Sequence, residues 1–291
     1  MRAKLQMILA MVLYGTISVF VRGIPLTSAE IALLRAGIAL AALLAWRFAR
    51  RAPAPARGLG RDVPLLLLSG AAMGFNWIFL FEAYKYTTVS VATLSYYFAP
   101  VIVIVASPIL FRERMTRRQA LCFVGATAGL VLVINVGALS SDAGQLRGVA
   151  FGLAAAVLYA SVILMNKGIR GVSGLDRTIL QFAAAAGVLL PYVLITTGIH
   201  MEYMDAAGWA RLICVGVVHS GVAYVLYFSA LRTLSGQQTA ILSYIDPLVA
   251  VLISVAVLRE RATAAQLLGG AMILAFTLLS ERAAARPCKE T

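Results

Sequence analysis

Ionisable side chains stand in or beside long apolar stretches of this sequence, among them Arg35, Glu82, His219 and Asp246. A charge in hydrocarbon costs about 2.5–3.5 kcal/mol, and it persists by pairing, by facing water or by handling a solute. Arg35 could hold a carboxylate of a transported solute, snorkel outward, or pair with Asp246 or Glu82. Asp246 precedes Pro247, a residue that lacks a backbone donor and restricts its neighbour, so the chain is expected to kink or break there. At such a break a carboxylate can cap the following half-helix, bind a substrate ammonium or carry a proton. His219 can titrate near neutral pH if water reaches it; the alternative is a hydrogen-bonded packing residue. Glu82 stands three residues before Lys85, consistent with a place near the outer interface.

Aromatic residues accompany these charges. Tyr14, Trp77, Tyr96, Tyr97, Tyr159, Tyr224 and Tyr244 all fall well inside apolar stretches, away from the headgroup belts where Tyr and Trp collect. With Asn76 and Ser243 they can line a cavity with flat apolar faces and a few polar handles, which suits a small amphipathic solute. The alternative is helix packing with each phenol bonded to a backbone carbonyl.

The elements that must position these groups follow from composition. Of 291 residues 61% are hydrophobic and 13% charged, which excludes an ordinary soluble domain. Uncharged windows run over Leu5–Val21, Val63–Phe81, Tyr86–Phe111, Gln119–Ser141, Gly148–Asn166, Thr178–Ile199, Leu212–Leu231 and Ala262–Ser280. Two more, Ser28–Trp46, which includes Arg35, and Gln237–Leu258, which includes Asp246, are long enough only with ionisable residues admitted. Roughly 20 apolar residues span the bilayer core as a helix. The expected fold is therefore an all-α integral membrane protein with ten transmembrane helices. Continuous apolar runs, without the alternation of a barrel, need hydrogen bonds closed within each segment.

If the N-terminus is cytoplasmic, 18 Lys and Arg fall on the cytoplasmic side and six on the other, with Arg35 inside a span. The positive-inside rule then puts both termini in the cytoplasm. The net charge of +13 is thus explained mostly by topology, and nucleic acid is not an expected partner. The expected partners are a small-molecule substrate and the lipid bilayer; monomer and homodimer stay open. Cys122, Cys214 and Cys288 show no disulfide or metal spacing, and no metal or cofactor is expected. Walker A, Gly-x-Ser-x-Gly and His-Glu-x-x-His sequences are missing, so the chain is not expected to be an enzyme.

The stretch YFAPVIVIVASPILFRER at Tyr97–Arg114 returns 147 positions later as YIDPLVAVLISVAVLRER at Tyr244–Arg261. At that offset Gly74, Phe81, Ala83, Pro100, Thr116 and Gln119 match Gly221, Phe228, Ala230, Pro247, Thr263 and Gln266. Nearer the front the offset is 145, with Leu13, Tyr14 and Gly23 matching Leu158, Tyr159 and Gly168. Two five-helix repeats are expected, 1–141 and 146–282, followed by a cytoplasmic tail, 283–291. An odd number of spans per copy inverts the second in the membrane, a transporter architecture in which substrate sits between halves that rock around it. Pro100 and Pro247, at equivalent sites, are the expected hinges. The Arg-Glu-Arg triplets can be gates or headgroup anchors.

The doubled pattern of proline, apolar run, Arg-Glu-Arg, gap and Gln resembles the two EamA-type domains of the drug/metabolite transporter superfamily, over essentially the whole chain. The resemblance implies a multi-pass carrier of the bacterial inner membrane whose cavity is lined by spans one, three, four, six, eight and nine. Among such carriers it is most similar to exporters of amino acids and metabolites, including the aromatic amino-acid branch; drugs or purine-like metabolites are the alternative cargo, and a membrane enzyme or lipid-handling protein the alternative class. Two departures narrow the cargo. The fourth and ninth spans lack the basic cluster of sugar-phosphate carriers, and position 14 is Tyr where small multidrug exporters carry a carboxylate.

Overall fold

The computed structural model describes residues 2–49, 62–111, 117–134, 143–168, 172, 174–231, 242–243 and 245–284. Among the described residues there is no strand. The helices are α1 (Arg2–Val21), α2 (Ser28–Ala49), α3 (Val63–Tyr86), α4 (Val89–Tyr96), α5 (Ala99–Phe111), α6 (Arg117–Ile134), α7 (Ala143–Gly168), α8 (Gly174–Thr196), α9 (Ala206–Cys214), α10 (Ala223–Leu231), α11 (Ile245–Ala256) and α12 (Ala264–Ala284). A π-helical segment, Val215–Val222, joins α9 to α10 without a break in the rod.

Six runs are long and apolar enough to cross a bilayer: Ala3–Val21, Ser28–Ala49, Val63–Tyr86, Gly144–Asn166, Gly174–Thr196 and Ala206–Tyr227. They correspond to expected spans one, two, three, six, seven and eight. Four shorter apolar helical stretches, Val89–Val103, Ala120–Leu132, Ile245–Ala256 and Ala264–Phe276, stand where the other four were expected. The outward faces carry large exposed apolar side chains such as Leu68, Leu121, Ile195 and Leu252, as surfaces facing lipid must. Tyr244, the first Arg-Glu-Arg triplet at 112–114 and the tail from 285 onward lie outside the described residues.

The expected fourth span is divided. α4 starts at an N-cap, Thr88, whose side chain accepts from Val91 N, and ends at Tyr97, whose ψ of 7° leaves the helical region. The turn is tightened by Phe98 N donating to Ser95 O at 3.1 Å and Val101 N to Phe98 O at 3.0 Å. Pro100 is then the second residue of α5. Its ring would clash with the carbonyl of Tyr96 in a continuous helix, and its missing N–H costs nothing in a first turn. The break thus falls at Tyr97–Phe98, just ahead of the proline. Pro247 likewise occupies the first turn of α11.

The main packing partners join one copy to the other: α3 lies on α7 and α8, α1 on α10 and α11, α2 on α8 and the π segment, α4 on α7, and α6 on α12. Glycines set the closest crossings. A Cβ on Gly15 would come within 2.7 Å of Asp246 O and Val249 Cβ, and one on Gly216 within 2.6 Å of Ile38 Cβ. These two glycines bring α1 onto the start of α11 and α2 onto the π segment. Away from them, Ser69, Asn166 and Gln181 tie α3, α7 and α8: Gln181 Nε2 donates to Ser69 Oγ at 2.9 Å and to Asn166 Oδ1 at 3.0 Å. Thr27 and Glu30 form a capping box at the head of α2, and Thr263 and Gln266 another at the head of α12.

Candidate functional site

The polar and aromatic residues singled out in the sequence converge between the two copies. Tyr97, at the break between α4 and α5, donates from its hydroxyl to Asp246 Oδ2 in the first turn of α11, at 2.5 Å. The discontinuity in one copy therefore touches the proline-bearing helix start of the other. Tyr96 stacks on Tyr159 of α7 with ring centroids 5.1 Å apart. Tyr14 of α1 meets Tyr224 of α10 edge-on at 5.5 Å, and Tyr227 at 6.3 Å. Trp77 of α3 packs on Phe182 of α8 at 5.2 Å. Each of these contacts takes one residue from the first copy and one from the second.

Arg35 sits at the same junction. Its side chain, on α2 and only 3% exposed, neither snorkels nor pairs with Asp246 or Glu82. Nε donates to Ser220 Oγ at 3.0 Å, while Cζ lies 4.4 Å above the Trp77 ring and 5.3 Å from that of Phe81. The π segment presents this serine: Ser220 Oγ donates to Val215 O, five residues back, and keeps a lone pair for the guanidinium. Tyr84 and Tyr96 stand near both Arg35 and Asp246.

Other expected site residues are placed differently. His219 is buried with Nε2 3.2 Å from Thr16 Oγ1 and Nδ1 3.4 Å from Cys214 O, its ring 4.8 Å from Phe20. Both nitrogens are engaged, which is the packing arrangement. Asn76 donates to Ala155 O at 2.6 Å and serves as glue between α3 and α7. Glu82 accepts from Ser28 Oγ at 2.6 Å and pairs with Lys85 at 3.1 Å.

At the end of the bundle where α1 and α3 finish, a network appears that sequence reasoning left as a choice between gate and anchor. Glu260 of the second Arg-Glu-Arg accepts from Arg22 Nη1 at 2.5 Å, from Val89 N at 2.8 Å and from Ser254 Oγ. Arg22 also donates to Tyr84 O at 2.8 Å and Thr87 O at 2.9 Å. One ion pair thus ties the ends of α1, α3 and α11 to the start of α4. Close by, Glu30, which sequence reasoning passed over, accepts from His200 N at 2.7 Å and lies on a cleft of about 330 Å³ with Pro25, Thr27, Lys85 and Tyr203. The T-x-x-E capping signal was the clue to its place. Ser220, Phe81 and Tyr84 were missed as members of the central cluster, since only the helix crossings reveal them.

Residues 1–135 and 146–281 each match the EamA-like transporter family. The chain is similar to an uncharacterized transporter of Archaeoglobus fulgidus, 32% identical, with 94% of each chain covered. It is also similar to the uncharacterized transporter YxxF of Bacillus subtilis, 29% identical over 96% of this chain and 89% of that one, and to protein PecM of Dickeya dadantii, 26% identical over 80% and 83%. A crystal structure sharing 19% identity superposes over 98% of this chain and all of its own with a TM-score of 0.61, which speaks to the fold alone.

A double-mutant cycle tests the contact between Tyr97 and Asp246. Tyr97→Phe leaves a carboxylate without its donor, whereas Tyr97→Phe on top of Asp246→Ala removes both partners. Thermal unfolding in detergent should give a coupling of about 1.5–3 kcal/mol, the range for a hydrogen bond to a charged group. A coupling near zero would mean that the bond contributes nothing.

Proposed function

The chain belongs to the EamA-like transporter family, and on that premise we propose that it is a secondary transporter of the bacterial inner membrane exporting small organic metabolites, with aromatic and neutral amino acids as the leading cargo, by alternating access. The observation that carries this reading is the cross-copy cluster: Tyr14 with Tyr224, Tyr96 with Tyr159, Tyr97 with Asp246. A solute held there is gripped by both halves, so its release is linked to their relative movement. Flat ring faces suit an apolar or aromatic body, and Arg35 and Asp246 supply opposite charges near the tyrosines.

Two inverted five-helix repeats with both termini cytoplasmic fit this mechanism. Support comes from the charge asymmetry and from packing that exchanges under the repeat. The contact of α3 with α7 has its counterpart in α10 with α1, and that of α4 with α7 in α11 with α1. Without a Walker A sequence, the energy comes from a solute or proton gradient. Counterflow of tritiated amino acids in proteoliposomes, with and without an imposed pH gradient, tests the reading. Accelerated exchange of at least one amino acid supports it; exchange of drugs or purines alone would redirect the cargo. Covalent product without solute movement would replace the carrier by a membrane enzyme.

By the charge count, the end held by Arg22 and Glu260 faces away from the cytoplasm. In this arrangement the pair is the latch of that mouth, and Pro100 and Pro247 are the joints about which it opens. Ser18, one turn below Arg22 on α1 and 1% exposed, is the reporter. With the three native cysteines replaced by serine, Ser18→Cys should react slowly with an impermeant maleimide added outside. It should react several-fold faster when Glu260→Gln is added, and slowly again when Arg22→Glu is combined with Glu260→Arg. Equal rates in all three would mean that the pair is an anchor.

A further inference from the structure

The central cluster contains one group whose bonding is incomplete. Guanidinium carries five N–H donors, and Arg35 uses one, Nε to Ser220. Among the described residues no carboxylate lies within 4 Å of it, and the acids named above are committed elsewhere. Glu30 is bound to Thr27 and His200, Glu82 to Ser28 and Lys85, Asp246 to Tyr97, and Glu260 to Arg22. A membrane-buried charge is expected to have a partner, and among the described residues none accepts from the other four N–H.

The surroundings hold the fork in place. Trp77 and Phe81 give the guanidinium an aromatic floor, which stabilises the charge through the ring quadrupole and leaves the in-plane donors open. Ile38, one turn along α2, meets Gly216 of the π segment so closely that any larger residue there would part Arg35 from Ser220. Within electrostatic reach stand Tyr14, Tyr224, Tyr96 and Tyr84. The Tyr14 hydroxyl is itself buried with no partner. A fork of donors with no acceptor among the described residues and a buried hydroxyl without a partner, in one cluster, call for the same complement, a planar oxyanion.

We propose that Arg35 is the carboxylate subsite of the transport site: its open donors take the carboxylate of the solute in bidentate fashion, the Tyr14 hydroxyl adds a donor, and the tyrosine cluster takes the remainder of the molecule. The proposal rests on the transporter reading and narrows its cargo to carboxylates with an apolar or aromatic body. For an amino acid, Asp246 is the group of opposite sign for the ammonium, near the same tyrosines. Arg35 thereby discriminates amino acids from the amines that share their side chains.

Three solutes with one ring separate the contributions: tyrosine, 3-(4-hydroxyphenyl)propionate and tyramine, carrying both charges, the carboxylate alone and the ammonium alone. Binding is read as thermal stabilisation of the purified full-length protein and as competition in counterflow. Wild type should favour both carboxylates over tyramine by at least about tenfold. Arg35→Gln should abolish that preference while leaving tyramine unchanged, and Arg35→Lys should retain part of it. Should Arg35→Gln fail to fold, Ser220→Ala, which releases Nε, should weaken the two carboxylates several-fold and spare tyramine. Equal effects on all three solutes, no effect on any, or a wild type that binds none of them or prefers tyramine would overturn the proposal. The amino-acid counterflow screen judges transport separately, so a carrier of other cargo would survive that failure.

Discussion

In hydrocarbon a polar side chain has no water to bond, so its partner must lie inside the protein or arrive with a solute. This constraint organises the bundle. Asp246 is met by Tyr97, Arg35 by Ser220, His219 by Thr16 and Glu260 by Arg22, each time from the other copy. Copies that satisfy one another's polar groups cannot separate freely in the membrane. In the proposed transport cycle they exchange one set of partners for another, and a solute with complementary groups makes that exchange easier.

Local backbone irregularities aim these groups. α4 stops at Tyr96 because Pro100 forbids continuation, and the turn that results turns Tyr97 toward α11. The π segment winds Val215–Val222 more widely, so that Ser220 faces Arg35 and His219 faces α1. Gly15 and Gly216 allow the crossings that bring these segments within reach. Regular helix would present neither Tyr97 nor Ser220 in this way.

Much of this was legible in the sequence. Apolar windows gave the positions of the helices, the offsets of 145 and 147 gave the duplication, and the non-belt aromatics gave most of the central cluster. Long-range pairing was not legible. Arg35 had three possible fates on paper, and its buried perch between Ser220 and Trp77 depends on how α2, α3 and the π segment cross. At Pro100 a hinge was expected, and the fourth span is divided just ahead of it, since the ring clash acts on the preceding turn. His219 and Asn76 looked like solute handles but are taken up by Thr16 and by Ala155 O, partners more than 75 residues distant in the chain. Periodicity and composition carry no information about such distant acceptors.

The central claim is that the two copies part at this cluster during each cycle. Ser95 of α4, next to Tyr96, faces Gly152 of α7: a Cβ on Gly152 would stand 3.0 Å from that of Ser95, so a separation of a few tenths of an ångström brings the pair to the roughly 3.5–4.5 Å of a disulfide. In protein lacking its native cysteines, Ser95→Cys combined with Gly152→Cys should support counterflow when reduced, lose it on oxidation and regain it with reductant. Full counterflow in the oxidised, cross-linked protein would contradict the account.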